Sequence, residues 1–156
     1  MKDLLAIAFA GLLAACGPAL IEGTNVPDTQ ENRELLDVLD RYRQALEARD
    51  AQALADIVSP RYFENASSTS DAKDDYGFVE LIQKVLPVLQ DNVVEVQYKI
   101  KVDRIDAKGR QASIYYEWEM TFKYIEGGLE GWSTAKDKNR MDLALEGDSW
   151  KIFAGL

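Results

Sequence analysis

Histidine is absent from this chain, cysteine occurs once, at position 16, and proline occurs four times. Lack of histidine removes the side chain that most often shuttles protons near neutral pH and most often ligates metals. A single cysteine excludes an intrachain disulfide, so cysteine pairing says nothing about redox compartment. Cations are in the minority, with 18 Lys and Arg against 27 Asp and Glu and a formal charge of −9. That balance, spread along the chain, argues against sequence-independent binding to nucleic acid and against adhesion to an anionic bilayer by charge alone. The N-terminal apolar run, Leu4 to Leu13, has ten residues and is soon followed by Pro18, short of the roughly 20 residues that span a bilayer. No internal repeat or low-complexity block divides the chain, and the residues beyond the N-terminal region suit one domain.

What the N-terminus does contain is ordered. Met1, Lys2 and Asp3 give a charged start, the apolar run follows, and Ala14 and Ala15 close it. This is the arrangement of an export signal. The four residues Leu13, Ala14, Ala15 and Cys16 resemble a bacterial lipobox. The resemblance implies cleavage before Cys16, thioether lipidation of its sulfur, and residence in the cell envelope. An ordinary signal peptide with an unpaired thiol is the alternative. Gly17 resembles the outer-membrane sorting signal of Gram-negative lipoproteins. Residues 1–15 are thus expected to be a signal peptide and 16–27 a lipidated cysteine with a Gly- and Pro-rich tether, extending at most about 40 Å. Residues 28–156 form the domain, and the expected partner of Cys16 is the lipid bilayer.

Helical periodicity comes first in the domain. Asp28 with Glu31 gives a capping-box-like start, and Leu35, Leu39, Tyr42 and Leu46 recur at helical spacing to about Arg49. Asp50 caps a short second helix carrying Leu54, Ile57 and Val58, and Ser59 before Pro60 ends it. Arg61 to Asn65 reads as a short strand. Asp74 or Asp75 then caps a third helix with the stripe Phe78, Leu81, Ile82, Val85 and Leu89, kinked at Pro87. The cluster SDAKDD, residues 70–75, gathers three carboxylates. It lacks the spacing of a calcium loop, so capping is its expected role and no metal site is assigned.

From Asn92 the period becomes two. Val94, Val96, Tyr98, Ile100 and Val102 share one face, and Glu95, Gln97, Lys99 and Lys101 the other. Ala112, Ile114, Tyr116, Trp118, Met120 and Phe122 repeat the pattern against Ser113, Glu117, Glu119 and Thr121. A three-residue loop at Ala107 to Gly109 sets Tyr98 opposite Trp118, Ile100 opposite Tyr116 and Lys99 opposite Glu117. A two-residue turn at Gly147 and Asp148 sets Leu145 opposite Trp150 and Leu143 opposite Ile152. Gly127 to Trp132 is read as the loop joining the two hairpins. The expected fold is α+β, with three N-terminal helices packed on a curved, mainly four-stranded antiparallel sheet.

This order, with the phrase YRQALEARDAQALADIVSP passing into YFEN, resembles the nuclear transport factor 2-like superfamily, which includes SnoaL-like cyclases and ketosteroid isomerases. The resemblance implies a conical pocket between helices and sheet. Tyr42 matches in position the hydrogen-bond-donating tyrosine of the steroid isomerases. The position implied for their carboxylate base falls on Ala66, with Glu64 two residues earlier. Pocket-lining candidates are Tyr42, Phe63, Tyr98, Tyr116 and Trp118.

Three functions follow as expectations. The favoured one is a non-catalytic lipoprotein domain binding a small apolar ligand or an envelope partner. The second is a SnoaL-like isomerase, cyclase or hydrolase with Tyr42 as donor and Glu64 as base. The third is an accessory protein whose pocket is filled by its own side chains. No cofactor, metal or nucleic acid enters any of them, and the charged outer sheet face favours a monomer.

Overall fold

The computed structural model describes residues 18–65 and 75–156. Its elements are helices α1 (Gln30–Ala48) and α2 (Ala51–Ile57) and strands β1 (Phe63–Glu64) and β2 (Tyr76–Gly77), then a third helix in three parts. These are α3 (Phe78–Glu80), the π-helical Leu81–Val85 and α4 (Leu86–Asn92). Strands β3 (Val93–Lys108), β4 (Gln111–Glu126), β5 (Leu129–Glu146) and β6 (Ser149–Ala154) follow and pair antiparallel in the order β3-β4-β5-β6. The fold is the expected one, helices against one face of an open four-stranded sheet.

Helix α1 buries Leu35, Val38, Leu39, Tyr42 and Ala45, the stripe that its spacing predicts. Its cap differs from expectation. Thr29 is the N-cap and accepts from the Asn32 amide at 3.1 Å. Asp28 is engaged elsewhere, by the Arg33 guanidinium at 2.5 and 2.7 Å. At the far end Arg49 adopts a left-handed φ of 54°, and its Nη1 donates to the Val93 carbonyl at 2.6 Å, tying the end of α1 to the start of β3. Asp50 caps α2 as expected, accepting from the Ala53 amide at 2.9 Å.

The third helix starts later than its acidic run suggested. Its N-cap is Gly77, whose amide donates to Glu80 Oε2 at 3.3 Å, so neither Asp74, which lies outside the described residues, nor Asp75 caps it. The expected disturbance at Pro87 takes the form of a π-helical turn just before it, with the Leu86 amide reaching back to the Leu81 carbonyl. Proline cannot donate to, and collides with, the carbonyl four residues earlier, and widening the preceding turn relieves both. The expected strand Arg61 to Asn65 shrinks to Phe63–Glu64, paired with Tyr76–Gly77.

In the sheet, faces from Val96 onward agree with expectation while the first hairpin's register does not. Val94, expected on the inner face, is exposed, because an irregularity between Val93 and Glu95 turns Val93 to the core in its place. Tyr98 lies opposite Met120, Ile100 opposite Trp118, Val102 opposite Tyr116 and Lys99 opposite Glu119. The turn holds two residues, Gly109 and Arg110, with Gly109 at φ 65°, and a register shift between Val102 and Arg104 leaves Asp103 as an extra residue. Along Glu95 to Val102 the shift from the expected pairing is two residues, an even number, so no side chain changes face. The expected loop 127–132 is a two-residue turn, with Gly127 at φ 58° and Gly128 at φ 81°, the type I′ geometry that needs both residues left-handed. β5 therefore begins at Leu129. The second hairpin pairs Leu145 with Trp150 and Leu143 with Ile152 as expected.

The stretch expected to be tether is folded from Ala19 onward. The Asp28 amide donates to the Ala19 carbonyl at 2.7 Å and the Ile21 amide to Val26 at 2.9 Å. Val26 is buried, which supplies the apolar contact that an extended tether would forgo.

Candidate functional site

Between the third helix and the inner face of the sheet lies a cavity of about 540 Å³. Leu46, Leu54, Leu81, Leu86, Leu89 and Met120 give it an apolar wall, and Tyr42, Tyr76, Tyr98 and Trp118 give it aromatic rings. Sequence parity puts them there. Tyr98, Trp118 and Met120 stand on inward positions of β3 and β4, and the leucines of the third helix belong to its predicted stripe. Tyr98 is the centre of the aromatic group. It meets Tyr42 edge-on at 5.9 Å and stacks on Trp118 at 5.9 Å with 24° between planes.

Beneath the rings runs a polar seam. Tyr42 and Tyr116, both buried, neighbour Tyr98 on either side of this seam and, after burial itself, help to raise its titration. Asn139 Nδ2 donates to the Tyr116 hydroxyl and to the Gly155 carbonyl, each at 3.1 Å. The Gly155 amide donates to Glu64 Oε2 at 2.9 Å, and the Tyr62 hydroxyl donates to the same oxygen at 3.0 Å. Burial raises the titration of Tyr42, Tyr62, Tyr98 and Tyr116 above the ordinary phenol value. These hydroxyls are therefore neutral donors and acceptors at physiological pH, not bases.

Of the residues singled out from sequence, Tyr42, Tyr98 and Trp118 line the cavity and Tyr116 lies buried beneath it. Phe63, expected among the lining, is instead 54% exposed. Its two-residue strand turns Glu64 inward and Phe63 outward, and Glu64 spends its Oε2 on Tyr62 and Gly155 rather than on the cavity. Cys16 lies outside the described residues. Residues 70–74 of the acidic cluster do too, and among the described residues no group of three metal-ligating side chains converges. No described helix is long and apolar enough to cross a membrane.

The cavity has a carboxylate that the sequence reading missed. Asp137 lines it, on the inner face of β5 directly opposite Trp118. Counting back by twos from Leu143 and Met141 gives Asn139 and then Asp137 on the same face. Asp137 Oδ1 accepts from the Lys138 amide at 2.8 Å. Lys138 borders the cavity through its backbone, since its Nζ lies 2.9 Å from Glu117 on the opposite face.

A second depression of similar size, about 520 Å³, is bordered by Ile100, Trp118 and Asp137 together with outward-facing charged side chains of β3, β4 and β5. Among these charges Lys99 pairs with Glu119 at 3.2 Å, and Lys101 and Lys138 with Glu117 at 3.8 and 2.9 Å. The inner cavity, mostly apolar with a few directed polar groups, has the composition of a ligand site, and the site is assigned there.

No family model matches the sequence, and no curated protein matches it. Solved structures do. A candidate scytalone dehydratase from Novosphingobium aromaticivorans superposes with a TM-score of 0.66 at 12% identity, over 80% of this chain and 80% of that one. A nuclear transport factor 2-like superfamily protein from Salmonella enterica gives 0.63 at 14% identity, over 79% and 86%. A candidate dehydratase of the same fold family from Streptomyces avermitilis gives 0.65 at 11% identity, over 80% and 93%. At these identities the likeness is one of fold, and the fold is nuclear transport factor 2-like.

Proposed function

We propose that the inner cavity binds a small, largely apolar molecule, and that the chain is a lipoprotein held in the bacterial envelope through Cys16. The observation that carries the first half is the unfilled volume of about 540 Å³ beside a ring cluster. The cleft opens to solvent and is lined mainly by leucines and aromatic rings, and its volume lies within the roughly 300 to 1,000 Å³ of ligand sites. A pocket filled by its own side chains does not leave such a space. The second half rests on the lipobox-like Leu13 to Cys16 and the export signal ahead of it. In a Gram-negative host Gly17 directs the protein to the outer membrane.

Binding is preferred to catalysis because the proton-transfer groups are poorly supplied. Histidine is absent, the tyrosines are held neutral, and Glu64 is occupied within the wall. The second reading, an acid–base enzyme, is favoured by one observation, the Asp137 carboxylate in the lining. In it Tyr42 donates to the substrate through its hydroxyl group or through Tyr98, and Asp137 takes the place first given to Glu64. The dehydratase descriptions of two fold neighbours are compatible with it.

The domain is monomeric in this account. The outer face presents Lys99, Lys101, Glu117 and Glu119, charges already satisfied within one chain, and covering them with a second copy costs desolvation without new partners. Sedimentation equilibrium of the chain released from membrane tests this, and a stable dimer at micromolar concentration overturns it.

The cavity reading is tested with a neutral fluorescent apolar probe, N-phenyl-1-naphthylamine. Leu86→Trp, which projects an indole into the space, should abolish saturable probe binding while leaving the circular dichroism unchanged. Equal binding by both proteins contradicts the assignment.

A further inference from the structure

The electrostatics of the cavity narrow its ligand further, on the premise that the cavity is a ligand site. Four aromatic rings, those of Tyr42, Tyr76, Tyr98 and Trp118, border one space, and among the described residues the one carboxylate in the lining is Asp137. Among the described residues arginine is absent from the lining, and its single lysine, Lys138, directs its ammonium to Glu117 on the other face of the sheet. Burial keeps the Tyr42, Tyr76 and Tyr98 hydroxyls protonated, so they add no second charge.

Each ligand class meets this lining differently. An anion is repelled by Asp137 and finds no cation directed into the cavity among the described residues that line it. A neutral apolar molecule gains burial among the leucines but leaves the rim carboxylate of Asp137, whose Oδ1 accepts from the Lys138 amide, without a counter-charge. A cationic molecule pairs with that carboxylate and gains attraction from ring faces, which are negative at the centre of their quadrupole. Asp137 and Trp118 are direct cross-strand partners, placing carboxylate and indole about 5 Å apart at their Cβ atoms. A single nitrogen can therefore meet both.

We propose that the cavity takes a small apolar amine, either protonated or quaternary, with its hydrocarbon portion among the third-helix leucines and its cationic nitrogen between Trp118 and Asp137. Asp137 and Trp118 set the charge preference, and the leucine wall sets the size.

The test compares benzyltrimethylammonium with neopentylbenzene, which has carbon in place of the charged nitrogen. Both are titrated into the full chain, with the Trp118 indole N–H resonance as readout. The cation should bind about tenfold more tightly than its neutral counterpart. Asp137→Asn should erase the difference and Asp137→Glu should retain it. Asp137 is at the exposed rim, so neither variant threatens folding. Equal affinity for the two probes, or a cation preference that survives Asp137→Asn, overturns the amine assignment while the ligand site stands. If neither probe moves the Trp118 resonance, the cavity reading falls as well.

Discussion

Tyr98 stacks on Trp118 with ring centroids 5.9 Å apart, although their backbones are not opposite one another in the sheet. Tyr98 pairs with Met120 and Trp118 with Ile100, so the rings meet on a diagonal. Tyr98 is buried, whereas Trp118 is half-buried and borders the cavity. A ring beside open space loses fewer contacts on truncation than one enclosed on all sides. Trp118→Ala should cost about 2 to 3 kcal/mol in denaturant unfolding, at or below the lower end of the 3–5 kcal/mol for enclosed aromatics. A loss under about 1 kcal/mol contradicts its packing on Tyr98.

Gly155 has φ 84°, and a Cβ there would stand 2.0 Å from the Arg140 carbonyl oxygen. The obstacle is backbone, so it cannot rotate away. Gly155→Ala should destabilise by more than about 2 kcal/mol, from the left-handed strain and the clash together. Because the Gly155 amide and carbonyl meet Glu64 and Asn139, the same variant should also weaken ligand binding. Unchanged stability rules out this close approach of the C-terminal strand to β5.

Glu146 fixes the turn after α2, accepting from Arg61 at 2.7 and 3.1 Å and from the buried Ser59 hydroxyl at 2.7 Å. The Arg61 hydrogen bonds, followed by that from Ser59, lower its titration below the ordinary 4.5. A carboxylate lowered on folding contributes stability above its unfolded value, and this is lost as pH falls through the folded one. Glu146→Gln should therefore cost about 1 kcal/mol near pH 7 and flatten the stability profile below pH about 4.5. An acid limb as steep as that of the unaltered protein contradicts the assignment.

Lipid anchoring is tested by fractionation. Cys16→Ala should move the protein from the membrane to the soluble fraction of its host, since attachment by two or more acyl chains has no substitute in a chain of net charge −9. Retention in the membrane pellet contradicts the anchor.

The faces of β3 and β4 were legible because period-two alternation survives any even slip in register. The pairing itself was not, because it depends on whether Gly109 heads a two-residue or ends a three-residue turn and on a bulge at Asp103. Gly131 hid the start of β5. Read as part of a loop, it is a strand residue lying against the Tyr124 ring, with a Cβ position only 2.6 Å from that ring's Cζ. Tyr42 was legible from helical spacing. Phe63 was not legible as outward-facing, because a strand of two residues carries no periodicity and its orientation is decided by the hydrogen bonds that Glu64 accepts from neighbouring Tyr62 and from Gly155, far away in the sequence.

The ligand-site reading is tested most directly by native mass spectrometry of the protein released from the membranes of its own host, alongside Leu86→Trp. The account predicts a non-covalent adduct of low mass on the unaltered protein, lost on gentle activation and absent from the variant. An adduct retained by Leu86→Trp, or a bare polypeptide together with no saturable binding of the neutral and cationic probes, would contradict it.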